Sequence, residues 1–302
     1  MTFETAGIVL PAWLPLLWGV LVGLVFSTVG AAGGILASVG LISVLGIQDA
    51  NLVKPMAQAL TLATPLIAVP GYYRQGRVVL SLALILGAGG ILGALVGSTL
   101  SHTYLTEIDL FRSVFGVLVL GIALQVLSRV LIHKRKPGTR SERAAAAFEG
   151  LVHDHGSPRT IGVSHRHRSW RRIHFVFAGV EFEYAPWAPF LAGAGIAVVS
   201  SALGVGGGFL LVPFMVLLLG LPMFLVAGTA ALAIAVSSIT SIGNYVRLGV
   251  ELDLPLLLIL LAGTVAGAWI GPRLSGHLRE RWLEAILGLV LLLIGIRYLG
   301  GF

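Results

Sequence analysis

The sequence predicts an all-α integral membrane protein built from two inverted repeats, each with a glycine-broken helix pair followed by three transmembrane helices. Three observations predict this class: the composition, the length of the apolar runs and a glycine pattern that occurs twice. The 302 residues are 57% hydrophobic and 11% charged, whereas soluble domains carry about 25% charged residues. Mean hydropathy is +0.96, and apolar runs long enough for spanning helices of roughly 20 residues recur through most of the chain.

The glycine pattern indicates an internal duplication. Several glycines of the first half recur in the second half at one constant offset; Gly30, Gly33, Gly34, Gly89, Gly93 and Gly97 correspond to Gly204, Gly207, Gly208, Gly263, Gly267 and Gly271. Glycines spaced four apart lie on one helix face and let a neighbouring helix pack closely. Close helix packing is therefore the preferred interpretation of the later row in each half.

The order of elements follows from the apolar runs. Residues from about 13 to 46 are apolar around a glycine cluster, and the pieces 14–29 and 34–47 are short for full spans, which indicates two half-helices or a re-entrant hairpin. Helices are predicted at 53–73, 78–100 and 110–132. The second half repeats this order, with a broken pair over 187–219 and helices near 222–246, 254–275 and 283–299. The predicted domains are 1–132, the linker 133–186, and 187–302.

The linker is basic and rich in histidine. The clusters His153-Asp154-His155 and His165-Arg166-His167 suggest metal binding, but the intervening arginines favour a solvated basic loop without a metal site. Alternating apolar residues over 171–184, with Gly179 between the two runs, predict a β-hairpin. A short helix is predicted within 140–152.

Charge predicts the orientation of the chain in the membrane. The net charge is +7, and basic residues mark the cytoplasmic side. The loop with Arg74 and Arg77, the linker, and the loop between Arg273 and Arg281 all fall on one side if each broken pair enters and leaves on the same side. The repeats are then inverted, both termini lie outside, and the linker is cytoplasmic. Topology accounts for the basic excess, so we expect anionic lipid as a partner and no nucleic acid.

The second-half motif resembles a known transporter family. Gly204-Val205-Gly206-Gly207-Gly208-Phe209, the following Leu211-Val212-Pro213, and Gly228-Thr229 and Asn244-Tyr245 in the next helix are similar to the TauE/SafE family of sulfite and sulfonate exporters. The resemblance covers both membrane halves. It implies a secondary transporter of small anions such as sulfite or organosulfonates in the cytoplasmic membrane, with export as the expected direction. A homodimer is possible.

The residues themselves also indicate anion binding. A helix that begins inside the membrane presents free amide groups and a positive dipole end, and glycines keep those amides accessible. The half-helices near Ile35 and Phe209 fit this description. The predicted substrate-binding residues are Ser27, Thr28, Gly30, Gly33, Gly34, Thr61, Ser200, Ser201, Gly204, Gly206, Gly207, Gly208, Thr229 and Asn244. Thr64, Ser237 and Ser238 are further hydroxyl candidates, although hydroxyls in membrane helices more often bond backbone carbonyls.

Other functional classes are weaker. Arg74 and Arg247 lie near helix ends and are predicted to anchor the helices at the interface or to attract anions as an electrostatic funnel. Carboxylates are scarce inside the apolar runs, which argues against a cation carrier. There is no cysteine, no nucleophile–base pair within the spans and no phosphate-binding loop, so we predict neither an enzyme nor a cofactor. The remaining alternative is a divalent metal transporter with a histidine-rich cytoplasmic loop.

Overall fold

The structure, a computed structural model, describes residues 1–29, 33–132, 164–168, 171–177, 179–275 and 280–300. The first half contains α1 (Trp13–Val29), α2 (Gly33–Val39), α3 (Ala50–Arg74), α4 (Leu80–Tyr104) and α5 (Ile108–Ile132). The second half contains α6 (Trp187–Leu203), α7 (Gly208–Pro213), α8 (Met223–Arg247), α9 (Leu254–Ser275) and α10 (Glu280–Leu299). The two short helices continue as π-helical turns, Gly40–Val44 after α2 and Phe214–Leu218 after α7.

The structure also contains short β-strands that form two small antiparallel sheets. β1 (Thr2–Phe3) pairs antiparallel with β2 (Ile8–Val9) before α1, and β3 (Ser164–Arg168), β4 (Ile173–Phe177) and β5 (Val180–Tyr184) form an antiparallel sheet before α6. β4 and β5 occupy the stretch in which alternation predicts a hairpin. β1, β2 and β3 were not predicted from the sequence. The predicted helix within 140–152 and the cluster at His153 lie outside the residues that the structure describes.

Among the described residues, four helical segments are long and apolar enough to cross a membrane: Ala50–Arg74, Leu80–Tyr104, Ile108–Ser128 and Leu225–Arg247. Shorter apolar helices include Trp13–Ser27, Trp187–Leu203 and Leu254–Ile270. Exposed leucines, valines and isoleucines cover much of the outer surface, as expected for a chain whose surroundings are as apolar as its core. The predicted class of a helical, multi-pass membrane protein is confirmed.

Each broken helix pair folds back on itself. In the first half, the Trp18 indole donates from Nε1 to the Leu36 carbonyl at 3.2 Å, and Phe26 lies against Gly33. In the second half, Ser200 lies against Gly207. In each pair, residues before the break contact residues after it. Each pair is therefore an antiparallel helical hairpin with the glycines at its tip.

The two halves interlock through glycine. A methyl group on Gly19 or Gly23 of α1 would overlap the carbonyls of Leu260 or Thr264 of α9, so these helices run parallel at close distance. The same arrangement joins α4 to α6, where Gly89, Gly93 and Gly97 meet the carbonyls of Phe190, Ala194 and Val198 in turn. The two contacts involve corresponding positions, because Gly89 and Gly263 face Phe190 and Leu16 respectively. These glycines therefore pack helices against each other, which is the preferred interpretation of the two rows.

The remaining helices also pair across the halves. α5 and α10 run antiparallel, with Gly116 near Tyr298 and Gly288 near Leu127. The end of α3 lies at the start of α8, where Gly228 packs on Tyr72, so this pair is antiparallel as well. α4 and α8 run parallel; Gly90 contacts Ser237 near the middle and Asn244 bonds Ser98 farther along, at 2.7 Å.

Two neighbouring glycines of α6 allow the packing to be tested. Gly193 faces the Leu86 carbonyl so closely that a methyl group would overlap it, whereas nothing lies within 4 Å of a methyl group on Gly195. We expect Gly193→Ala to lower stability by about 1–3 kcal/mol, because α4 and α6 must separate. Gly195→Ala should raise stability by up to about 1 kcal/mol through helix propensity. Thermal unfolding of the purified variants in detergent measures both, and equal shifts would contradict the packing.

Small hairpins cover the two ends of the bundle. At one end, which we call the basic end, the apolar face of β4 and β5 packs on Val79 and Leu225, and Tyr184 shares a hydrogen bond of 2.9 Å with Ser81 at the start of α4. At the opposite end, the acidic end, the amide of Ala6 in the β1–β2 turn donates to Asp253 Oδ2 at 3.0 Å. The β4–β5 hairpin is thus fixed to the first turn of α4, and the β1–β2 turn is fixed to the residue that precedes α9.

Candidate substrate site at the helix breaks

The break between α6 and α7 requires glycine. Gly204, Gly206 and Gly207 have φ angles of 73°, 75° and 68°, in the left-handed region that side chains disfavour. Space is equally restrictive, because a methyl group on Gly204 would lie 2.8 Å from the Lys54 Cα and one on Gly206 would lie 2.9 Å from the Thr61 Cβ. The glycine cluster therefore both turns the chain and admits α3 to close contact.

The carbonyls exposed by the break receive side-chain donors from three other helices. This matters because an unbonded backbone group in the hydrocarbon region costs several kcal/mol. The bonds are Gln58 Nε2 to the Ser200 carbonyl at 3.2 Å, Tyr245 OH to Ser201 at 3.0 Å and Ser101 Oγ to Ala202 at 2.6 Å. Helix α6 can end in mid-bundle because α3, α8 and α4 cap it.

The two glycine breaks meet. A methyl group on Gly34, at the start of α2, would overlap the Val205 carbonyl of the second break, and Thr61 of α3 lies against both Gly34 and Gly206. Ser38 Oγ donates across the same junction to the Gly204 carbonyl at 3.4 Å. Thr61 is fully buried, and its hydroxyl donates to carbonyls of its own helix at Ala57 and Gln58. The tips are in direct contact, so any solute must bind beside the junction.

A pocket opens on one side of this junction. It is lined by small and apolar residues of α4, α6 and α8 and by Gly207 and Leu211 at the second break; the lining is Leu86, Gly90, Gly193, Ile196, Ala197, Ser200, Gly207, Leu211, Ala233 and Ser237. The volume open to the centre of a water molecule is about 10 Å³, enough for roughly one water. An anion of four or more heavy atoms needs the walls to move apart.

Only part of the predicted substrate set lies at this pocket. Ser200 and Gly207 line it, and Ser237, a further hydroxyl candidate, does so as well. Gly33, Gly34, Thr61, Gly204, Gly206 and Gly208 lie at or beside the tips of the breaks, and Ser201 contributes its carbonyl to Tyr245. Gly30 and the side chain of Thr28 lie outside the part of the chain that the structure describes.

The other predicted residues make structural bonds. Ser27 Oγ donates to the Leu24 carbonyl of its own helix at 3.0 Å. Thr229 Oγ1 accepts from the Val79 amide at 3.0 Å, capping the start of α4. The Asn244 amide donates to Ser98 at 2.7 Å and to Thr99 at 3.0 Å. The bonds of Thr229 and Asn244 therefore join α8 to α4, whereas that of Ser27 stays within α1.

Arg74 and Arg247 are exposed at the last turns of α3 and α8. Because these helices run antiparallel, the two arginines lie at opposite ends of the bundle.

Lys54 was not among the predicted site residues, yet it is the most unusual group near the breaks. Its side chain is fully buried. Nζ donates to the carbonyls of Leu105 at 2.6 Å and Ser101 at 3.2 Å and to Asn51 Oδ1 at 3.1 Å, and it lies 5.2 Å from the centre of the Phe111 ring. Lys54 is the only lysine outside the linker, and its position within an apolar run was a signal available in the sequence.

These features define a polytopic helical membrane protein with discontinuous helices and a small central pocket. A profile of the sulfite exporter TauE/SafE family matches residues 15–298, and the chain belongs to that family. The family consists of exporter-type membrane transporters, so the chain is a transporter and not an enzyme. No curated protein and no solved structure matches it.

Proposed function

We propose that the chain is a secondary permease for small anions, with sulfite or organosulfonates as substrates and export across the cytoplasmic membrane as its direction. The observation that carries the proposal is the junction of the two glycine breaks in the middle of the bundle, beside a pocket with two serine hydroxyls. Paired discontinuous helices at the interface of two repeats are where secondary transporters bind their substrates.

Inverted repeats are part of the proposal, and the helix directions support them. α4 runs parallel to α6 and α8, and α9 follows α8 through a short connection that reverses its direction. Because α1 runs parallel to α9, it points opposite to its counterpart α6. α3 with α8 and α5 with α10 are antiparallel counterparts too. Rocking of one repeat against the other is the motion that such symmetry permits.

The distribution of charge supports a cytoplasmic basic end. Arg74, Arg77 and Arg172 lie there together with the start of the second half. The acidic end carries Asp49 and Asp253. The excess of arginine therefore supports a cytoplasmic location of the basic end and the 133–186 linker, with both termini outside. A reporter active only in the cytoplasm, fused to the C-terminus, should be inactive.

Binding of an anion agrees with the groups available. Helices α3, α4, α6, α8 and α9 contain no aspartate or glutamate, whereas cation carriers place acids in the bundle. The pocket offers the hydroxyls of Ser200 and Ser237 as hydrogen-bond donors. The divalent-metal alternative gains no support: no group of three metal-ligating side chains occurs within the described ranges, and the cluster at His153 falls outside them.

The funnel remains a prediction, which substitution of each arginine tests. We expect Arg74→Gln and Arg247→Gln each to slow anion uptake about two- to tenfold at low salt and to have little effect at high salt, because screening removes long-range attraction. Arg112→Gln is the matched control, since Arg112 is engaged with Asp109 at 3.4 Å. Initial rates in proteoliposomes measure the effect. A deficit that persists unchanged at high salt would point to anchoring instead.

Reconstitution tests the proposed function directly. Purified protein in liposomes is offered sulfite, sulfate, ethanesulfonate, acetate and divalent cations in parallel, with protein-free liposomes as the blank. We expect uptake of sulfite or ethanesulfonate and none of the cations. Uptake of metal ions without any response to anions would overturn the proposal.

A further inference from the structure

Ser200 and Phe26 occupy equivalent positions in the two repeats. They precede Gly207 and Gly33 by the same number of residues, and each lies against its own glycine. A methyl group on Gly207 would be 3.2 Å from Ser200 Oγ, whereas one on Gly33 would overlap the ring of Phe26. The hairpins α6–α7 and α1–α2 therefore place a small hydroxyl and a large ring at the same point beside the break.

This difference makes the centre of the protein asymmetric. In the second half, the space beside Gly207 is the pocket, because Ser200 is short and Gly90 and Gly193 contribute no side chains. In the first half, the ring of Phe26 takes the corresponding space beside Gly33. The residue equivalent to Gly90 is the fully buried Thr264 of α9, which carries a side chain where Gly90 has none.

We propose that the transporter has a single substrate chamber, beside the glycine break of the second repeat, and that Ser200 determines which anions fit it. The inference rests on the proposed anion transport. The hydroxyls of Ser200 and Ser237 now donate to carbonyls of their own helices, at 3.4 Å to Ala197 and 3.1 Å to Ile234, and they rotate towards an oxyanion when one enters. Leu86, Ile196 and Leu211 line the remaining wall, which suits a short alkyl group on a sulfonate and disfavours a second charged group.

Substitution of Ser200 tests the chamber. Ser200→Phe copies the first repeat and should reduce anion uptake at least about tenfold, because the ring would fill the space beside Gly207 that the anion needs. Ser200→Ala removes one hydrogen bond and should raise KM for the transported anion several-fold with little change in maximal rate. Ser113→Phe, the same change on the exposed surface of α5, should transport normally. Phe26→Leu should retain transport within about twofold, since it lies outside the chamber.

Chemical modification covers the case in which Ser200→Phe fails to fold. The chain has no cysteine, so the thiol of Ser200→Cys is its only one. This thiol can be modified after the variant has been folded and purified. Alkylation with iodoacetamide during turnover of ethanesulfonate, verified by mass, should stop uptake. Sulfite is left out of this step because it would react with iodoacetamide, but the thioether formed is stable to sulfite. Ser113→Cys treated in the same way should remain active.

The outcomes separate the two proposals. Uptake by the alkylated Ser200→Cys protein at its original rate, or a thiol that stays unmodified during turnover, would overturn the single chamber and leave anion transport standing. An unmodified wild-type protein that moves none of the anions would overturn the transport function itself.

Discussion

Replacing Gly206 by valine is expected to abolish transport. Valine must adopt a φ near 75°, which costs about 1–2 kcal/mol, and its Cβ would lie 2.9 Å from both Cβ and Oγ1 of Thr61. Either the break straightens or α3 moves away, and both destroy the junction of the two tips. Uptake in proteoliposomes and thermal unfolding measure the loss together.

Gly220→Val is the control for this substitution. Gly220 also has a positive φ, 62°, but nothing lies within 4 Å of a methyl group there. It therefore carries the backbone strain of about 1–2 kcal/mol without the steric overlap. If both variants lost the same stability and activity, contact with Thr61 would not matter and the junction would be incidental.

Replacing Lys54 by methionine is expected to destabilise the protein by about 3 kcal/mol. The stem of the side chain is retained, but the Leu105 carbonyl loses its bond from Nζ inside the bundle and the Ser101 carbonyl keeps only the bond from the Leu105 amide; a buried unsatisfied group costs about 1–3 kcal/mol. The contact with the Phe111 ring is lost too. The thermal midpoint in detergent should fall by several degrees.

Arg112→Met is the matched control for Lys54. It removes the same charge from a neighbouring helix, but its partner Asp109 has a side chain 89% exposed, and such pairs contribute at most about 1 kcal/mol. Equal midpoints for the two variants would show that the hydrogen bonds of Lys54 do not hold α3 to the end of α4. A large drop confined to Lys54→Met would show that they do.

Much of the helical architecture was predictable because it depends on residue types that leave strong signals. The length and apolarity of the runs predict the spans, and Gly204 to Gly207 predict a break because only glycine suits that conformation. The capping of α6 by Gln58 and Tyr245 was not predictable, since each donor comes from a distant part of the chain. The two-residue strands β1 and β2 are too short to leave a periodic signal.

The sequence predicts hydroxyls near the glycine clusters as substrate ligands but does not separate those at the pocket from the others. Ser200 lies at the pocket. Thr229 and Asn244 looked equivalent to it in sequence, yet their polar atoms bond other helices. Which hydroxyl faces open space depends on the packing of α4 and α8 around it. The asymmetry between Ser200 and Phe26 becomes meaningful only when both are seen against their glycines.

The glycine contacts that join α1 to α9 and α4 to α6 have a consequence for biogenesis. Every one of these surfaces has its partner in the other half of the chain. When the ribosome has delivered only the first half to the membrane, the faces of α1 and α4 are still unmatched, and the tip of the first helical hairpin lacks its neighbours Gly204 and Val205 at the second break. Final assembly must therefore wait for translation of the last helices, and two halves produced as separate polypeptides should accumulate only when they are made together.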